Sequence, residues 1–472
     1  MDRPPADAAP ALTAAPARRR LARLRASLRR AAPALGLFAA ARLTGTLVFA
    51  LWAWHIGRSP RVLLARSWDS DWYLRIAANG YGRTLHWPDG APMSDLAFFP
   101  LYPGLVRVVA GVLPIAYGTA GLLLSWLAAG AAAWGVFLVA ERLCGRRVAV
   151  FTVLLWGLLP TSFVLTMAYT EPVMTAFAAW ALYAVLTRRW LWAGSLATLA
   201  GLSRPNGIAV AAAVLAAAAL ELWRRSGWWD GHGRADWRGW GDGRGRAGWR
   251  RWADRRGRAG WLGWADRGGW ADRGGGADRH ARADRRGQGG GADRSGGAGR
   301  SGRDGWAVWV GAGVAPLGWV SYLLWVGARR GDLLGGYFTV QEGWTSRFDF
   351  GEGAARFVRD MLKGPTQFGY VMALAVTAVG VLLFALLLLD PDERPPLPVL
   401  VYTGVLVLIT VGGSGFFESK PRFLLPAFPL LLPLARALTR ARPRAAITVI
   451  AGLAGLSFAY APYALTLARM AL

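Results

Sequence analysis

The chain has 472 residues, 54% of them hydrophobic, with 26 Trp and a positive mean hydropathy, which excludes an ordinary soluble protein and points to a polytopic membrane protein. Its formal charge of +27 would suit a nucleic-acid partner if it lined a folded face. Instead, eight Arg against two Asp fall in residues 1–33 and twenty Arg against ten Asp in residues 224–305, and basic segments outside apolar runs mark the cytoplasmic side and touch anionic lipid.

Residues 1–33 are rich in Ala, Pro and Arg and read as a disordered, basic cytoplasmic N-terminus. The apolar run from about Ala34 to Ile56 is too long for a signal-peptide core and is followed by no A-x-A-like site, so it reads as an uncleaved first span with its N-terminus inside. Just beyond it stands Ser67-Trp68-Asp69-Ser70-Asp71-Trp72-Tyr73-Leu74-Arg75-Ile76-Ala77, with Asn79-Gly80-Tyr81 after it. Two carboxylates packed between tryptophans belong at the headgroup level, where an aromatic ring has one wet end and one dry one. Asn79-Gly80 is a helix stop, so residues 72–79 are expected as a short helix along the interface. Asp71 or Ser70 would serve as its N-cap, a role that leaves room for chemistry.

The next apolar segment, Phe98-Phe99-Pro100-Leu101-Tyr102-Pro103 through Leu113-Pro114, carries prolines and Arg107. If it crosses, the stretch 224–305 falls outside; as a juxtamembrane or re-entrant piece it leaves that stretch inside, as the positive-inside bias favours. Further spans are then expected at about 117–140, 148–166, 172–187, 190–203, 207–223, 306–327, 368–389, 397–412, 423–438 and 446–467, eleven in all with the C-terminus outside. The fifth and sixth are shorter than the roughly 20 residues of a spanning helix. Residues 224–305 are a Gly/Arg/Asp/Trp low-complexity insertion without the apolar content to fold alone, expected as a cytoplasmic linker between membrane modules at 34–223 and 306–472. The single Cys144 excludes an intrachain disulfide.

This order gathers four polar motifs on one face: Asp69 with Asp71, Tyr169-Thr170-Glu171-Pro172, Ser203-Arg204-Pro205-Asn206-Gly207, and Ser419-Lys420-Pro421-Arg422-Phe423. The carboxylates Asp69 and Asp71 could act as a general base with an electrostatic partner, taking a proton from an attacking sugar hydroxyl, or could hold a divalent metal; the spacing leaves both open. Glu171 before Pro172 suits the first turn of a helix, where the dipole favours an acid. Arg204 interrupts an apolar region, where an ionisable side chain is costly and marks a functional site. A lipid phosphate is a natural partner for its guanidinium. Lys420 and Arg422 would suit the same phosphate, or serve as interfacial anchors.

Together these stretches resemble the PIG-V family of mannosyltransferases, within the GT-C class of membrane glycosyltransferases. The resemblance rests on Trp68-Asp69 with Ile76-Ala77 and Gly80-Tyr81, Phe98 to Pro103, Leu159-Pro160-Thr161-Ser162-Phe163 with Tyr169 to Pro172, Leu202 to Gly207, and Arg422-Phe423 with Pro426. It covers residues 34–223 and 414–440, and the insertion at 224–305 departs from it. It implies an all-α polytopic GT-C-type fold with a catalytic first outer loop containing juxtamembrane helices, in the cell membrane with the active site extracytoplasmic. The implied activity is inverting transfer of mannose from a polyprenyl-phosphate sugar donor to a lipid or glycan acceptor. Asp69 is then the expected base, with Asp71 or Glu171 orienting acceptor hydroxyls. Arg204, Arg422 and Lys420 would hold the leaving phosphate, with Trp68, Tyr169 and Asn206 as further substrate-binding residues. That scheme takes charge neutralisation from the cationic side chains and expects no metal, no cofactor and no nucleic acid. A lipid-carrier transporter would also bury Arg and acids, but the halves show no internal repeat of the kind transporters often carry; a catalytically inactive scaffold of an envelope complex would keep the same residues.

The topology rests on charge bias and can be checked directly. Single cysteines at Gly90 and Gly275, in a Cys144→Ala background, are expected to react with an impermeant thiol reagent from outside and inside respectively. Labelling of Gly275 from outside reverses the parity.

Overall fold

The computed structural model describes residues 14–225, 305–389 and 394–468. Residues 1–221 and 305–472 form one compact unit and 222–304 a second. Residues 1–13, all but the ends of the 224–305 insertion, Asp390 to Glu393 and the last four residues lie outside the described residues; residues 14–33, expected as part of a disordered N-terminus, are instead helical and continuous with the first apolar run.

The first unit begins with helix α1 (Ala14–His55), followed by two short helices, α2 (Pro60–Arg66) and α3 (Asp69–Asn79). The helix expected over 72–79 is therefore present and starts three residues earlier. Neither Ser70 nor Asp71 caps it. Trp68 stands at the N-cap in a positive-φ conformation (φ 54°), with no side-chain cap bond. Next come α4 (Leu101–Val112), α5 (Tyr117–Cys144), α6 (Arg146–Leu158), α7 (Glu171–Leu186), α8 (Trp190–Ser203) and α9 (Ile208–Arg225).

Among the described residues six helices are long and apolar enough to cross a membrane: Leu24–His55, Tyr117–Cys144, Pro205–Arg225, Gly305–Arg330, Phe368–Leu389 and Pro443–Leu467. Two bent pairs raise the number to eight at most. The expected eleven is not reached as straight spans, because α7, α8 and Leu397–Gly412 run 16, 14 and 16 residues, short of the roughly 20 that a bilayer core requires. Leu101–Val112 has only 12 residues, in keeping with a segment that does not cross. Exposed Leu, Val and Trp side chains such as Trp54, Leu127, Trp309 and Leu382 face outward from the spans, as lipid contact demands.

Proline explains the bent pairs. Pro160 turns the chain by 83° between α6 and Pro160–Thr166, and a second turn of 79° separates Phe417–Phe423 from Phe428–Arg440. A break at membrane depth is tolerated only if its freed carbonyls find donors, and side chains supply them. At the first bend Ser162 Oγ donates to Trp156 O (2.6 Å), Arg42 Nη1 to Gly157 O (2.7 Å) and Ser457 Oγ to Leu159 O (3.0 Å). At the second, Trp156 Nε1 donates to Leu425 O (2.9 Å) and the Tyr402 hydroxyl to Pro426 O (2.7 Å).

One element escapes an all-helical reading. Thr84–His86 and Pro92–Ser94 pair antiparallel with Leu85 opposite Met93. This small hairpin between α3 and the segment Leu101–Val112 is fixed to helix Gly336–Gly343 and the residue after it: Trp87 Nε1 donates to Gly343 O and Trp344 Nε1 to Ser94 O.

Before and after the insertion, the chain is joined by close backbone packing. A Cβ on Gly194 of α8 would lie 2.3 Å from Gly311 O, and one on Gly318 would lie 2.0 Å from Thr198 O, so these helices touch where side chains are absent. Gly194→Ala and Gly318→Ala are each expected to destabilise the protein in detergent by about 1–3 kcal/mol, the range for overpacking. Gly313→Ala, with nothing within 4 Å of its Cβ, is expected to leave the unfolding midpoint near wild type. Equal midpoints for all three would show that this seam is loosely packed.

Candidate functional site

Four of the expected residues meet although they are far apart in the chain. Asp69 opens α3, Glu171 opens α7, Arg204 follows the end of α8, and Arg422 lies in the short helix Lys420–Phe423. Local sequence explains each position. Pro205 disfavours a helical residue before it, and Arg204 accordingly adopts an extended backbone (φ −161°, ψ 157°) that carries it off the axis of α8. Gly207 is required because a Cβ there would lie 2.2 Å from Ala200 O.

Arg422 Nη1 is 2.6 Å from Asp69 Oδ2 and its Nε is 4.0 Å from Glu171 Oε1. Arg204 Nη1 pairs with Glu171 Oε1 and donates to Thr170 Oγ1 at 2.9 Å. Two carboxylates and two guanidiniums thus form a neutral cluster, with Glu171 fully buried, both arginines under a tenth exposed and Asp69 alone opening outward at 19%. The rings of Tyr169 and Phe423 lie against the guanidiniums: Arg422 sits over each at 5.4 Å and Arg204 over Phe423 at 5.6 Å, contacts that strengthen when desolvated. Close approach has not satisfied every polar atom. Arg422 Nε and Nη1 and both oxygens of Glu171 have no hydrogen bond of ordinary geometry, so the cluster keeps bonding capacity that buried groups normally use.

A relay of hydroxyls holds it in place. Tyr102 bonds Ser125 Oγ (2.9 Å), Ser125 donates to Tyr169 O (3.1 Å), and the Tyr169 hydroxyl accepts from Asp69 N (3.2 Å). Tyr73 of α3 meets Thr170 Oγ1 at 3.3 Å. Burial pushes the Tyr73 and Tyr169 hydroxyls well above their ordinary range, so both keep their protons across the working range of a carboxylate base. Thr170, Tyr73 and Phe423 stand in the motifs quoted from sequence but were given no role there, and Ser125 was not singled out. Ser125 had one signal, a hydroxyl inside the apolar run of α5.

The remaining expected residues stand elsewhere. Asp71 lies on α3 but pairs with Arg66 (3.7 Å), Arg75 (2.5 Å) and Arg83 (3.9 Å); the two acids of the D-x-D pair therefore turn to different partners. Lys420 Nζ donates to Thr410 O (2.5 Å) and Gly413 O (2.6 Å), closing the C-terminal end of Leu397–Gly412, where a cation suits the dipole. Asn206 is buried with Nδ2 unpartnered. Trp68 stands directly before Asp69, its left-handed backbone a conformation that costs on the order of 1–3 kcal/mol and recurs at functional sites. No group of three or more His, Cys, Asp or Glu that could hold a metal occurs among the described residues.

No family model and no curated protein matches the sequence. A solved structure is similar to it. The crystal structure of the Archaeoglobus fulgidus oligosaccharyltransferase in the apo form aligns with a TM-score of 0.41 and 14% identity, over 89% of this chain and 56% of that chain. The present chain thus spans little more than half the length of that protein.

Removing one member of a buried pair leaves the other charge uncompensated, at a cost of about 3–5 kcal/mol. Glu171→Gln is expected to lower the unfolding midpoint accordingly, whereas Asp71→Asn, whose arginines are exposed, is expected to stay close to wild type. A Glu171→Gln protein as stable as wild type would show that the cluster is solvated.

Proposed function

We propose that the chain is a GT-C-type membrane glycosyltransferase that transfers mannose from polyprenyl-phosphate-mannose to a lipid- or glycan-linked acceptor on the extracytoplasmic face. The observation that carries the reading is the Asp69–Arg422 pair, a carboxylate open to solvent bonded to a buried guanidinium beside Glu171 and Arg204. The PIG-V resemblance supports mannose and the carrier phosphate, and the six apolar helices support a lipid-borne substrate.

In the proposed reaction the donor phosphate competes with Asp69 for Arg422. As its oxygens engage Arg422 and Arg204, Asp69 is released from its ion pair and its carboxylate oxygens are open to the acceptor. The acceptor hydroxyl attacks the anomeric carbon from the side opposite the phosphate and passes its proton to Asp69. The bond from that carbon to the phosphate oxygen breaks, and its electron pair stays on the phosphate, where the guanidiniums neutralise the growing charge. Glu171 holds Arg204 in position throughout. Asp71, held by three arginines, takes no part in this sequence.

General base catalysis contributes typically about 10²- to 10⁴-fold, so Asp69→Asn is expected to lower turnover by that factor. Because Asp69 competes for Arg422, the same variant should bind donor as tightly as wild type or more tightly. Arg204→Ala should weaken both donor binding and turnover. Turnover and donor affinity measured with labelled polyprenyl-phosphate-mannose and an envelope lipid extract decide the matter: an active Asp69→Asn beside a dead but folded Glu171→Gln moves the base to Glu171, and no turnover by wild type removes the transferase reading.

A further inference from the structure

The arginines around Asp71 have no part in the proposed transfer. Arg66 ends α2, Arg75 lies one turn beyond Asp71 on α3, and Arg83 follows shortly after the helix. Their guanidiniums come within 3.7, 2.5 and 3.9 Å of the one carboxylate while remaining 62%, 47% and 36% exposed. One acid neutralises one of the three, and two positive charges are left in a space of a few ångströms. Like charges so close repel, and a further anion relieves that repulsion.

The location indicates which anion. Four residues separate the end of α1, a helix able to span a membrane, from the start of α2, which sets Arg66 near the surface of the bilayer. Arg83 lies over the ring of Trp72 at 5.0 Å, and because that ring is itself packed against Phe98 and Trp344, the contact holds the guanidinium in place. Val62, one turn before Arg66 on α2, is an exposed apolar side chain at 54%, and Trp54 near the end of α1 is another at 61%. Forked donors beside apolar surface match the chemistry of a phosphate ester that carries acyl chains. On the outer face assigned here, arginines near spans are depleted by the positive-inside bias, which makes three on one carboxylate the more demanding of a cause.

We propose that Arg66, Arg75 and Arg83 form a binding site for the phosphate of an anionic lipid at the membrane surface, with Asp71 as the counter-ion that gathers the three guanidiniums. The site lies two residues along α3 from Asp69 and would dock a phosphate-bearing lipid beside the entrance to the buried cluster. It goes beyond the transferase reading and is tested by binding rather than turnover, so either can fail without the other.

The full chain, purified in a neutral detergent, is titrated with fluorescent phosphatidylglycerol and with phosphatidylcholine, and retained lipids are counted by native mass spectrometry. Saturable binding of phosphatidylglycerol over phosphatidylcholine, weakened by salt, is expected. A basic residue near an anionic surface is worth roughly a factor of five, so the triple variant R66Q/R75Q/R83Q should lose on the order of 100-fold in affinity. D71N removes the competing carboxylate and should tighten binding by about fivefold, and this gain of affinity tests the site even if the triple variant does not fold. Equal retention of both lipids, displacement by millimolar glycerol phosphate as readily as by the lipid, or an affinity that D71N leaves unchanged overturns the proposal.

Discussion

The structure depends on one electrostatic arrangement, the neutral cluster of Asp69, Glu171, Arg204 and Arg422. A single guanidinium or carboxylate in an apolar interior is strongly disfavoured, and a pair is tolerated only when geometry and further contacts compensate its desolvation. Here the compensation comes from four separate chain segments and from two aromatic rings laid against the guanidiniums. The cluster therefore constrains the fold as much as the fold positions the cluster: α3, α7, the end of α8 and the bent segment around Arg422 must arrive at one point for any of the charges to be acceptable.

The surrounding architecture answers the same demand. Prolines adjoin Glu171, Arg204 and Arg422, and at the two bent segments side chains satisfy the carbonyls that the breaks expose. Arg42 and Lys420 are instructive here. Each is a buried cation in an apolar region, the feature that marks a functional residue from sequence, and each spends its charge on backbone carbonyls at a helix end. Arg204 and Arg422 differ because their partners are acids.

Much of this was legible in the amino-acid sequence, for identifiable reasons. The interfacial helix at α3 followed from its aromatic and acidic pattern and the Asn79-Gly80 stop, and the six long apolar helices followed from hydropathy, which needs no tertiary information. Arg204 and Glu171 stood out because charges are rare in apolar runs. What could not be read depends on contacts between distant segments. The D-x-D spacing could not separate Asp69 from Asp71, and only the PIG-V resemblance put the base on Asp69, since the residues that distinguish them, Arg422 and the trio Arg66, Arg75 and Arg83, are chosen by packing. The count of spans failed because α7, α8 and Leu397–Gly412 have the composition of crossing helices without the length. The hairpin at Thr84–Ser94 escaped because three-residue strands, anchored by indoles of another segment, carry almost no periodic signal.

The order in which the four charges occur also governs how the protein can be made. Glu171 and Arg204 leave the ribosome close together, so the more deeply buried acid meets a partner while the first half is still being inserted. Asp69 opens a helix at the membrane surface, where water can hold its charge until Arg422 appears. At a synthesis rate of about 5–20 residues per second, that wait lasts on the order of 20–70 seconds. During this interval the first half already holds one neutral pair, and the acid still waiting is the one that the finished protein leaves partly exposed. The last charge to be translated is thus the one that closes the cluster, and a chain truncated before Arg422 would be inserted yet leave Asp69 without its partner.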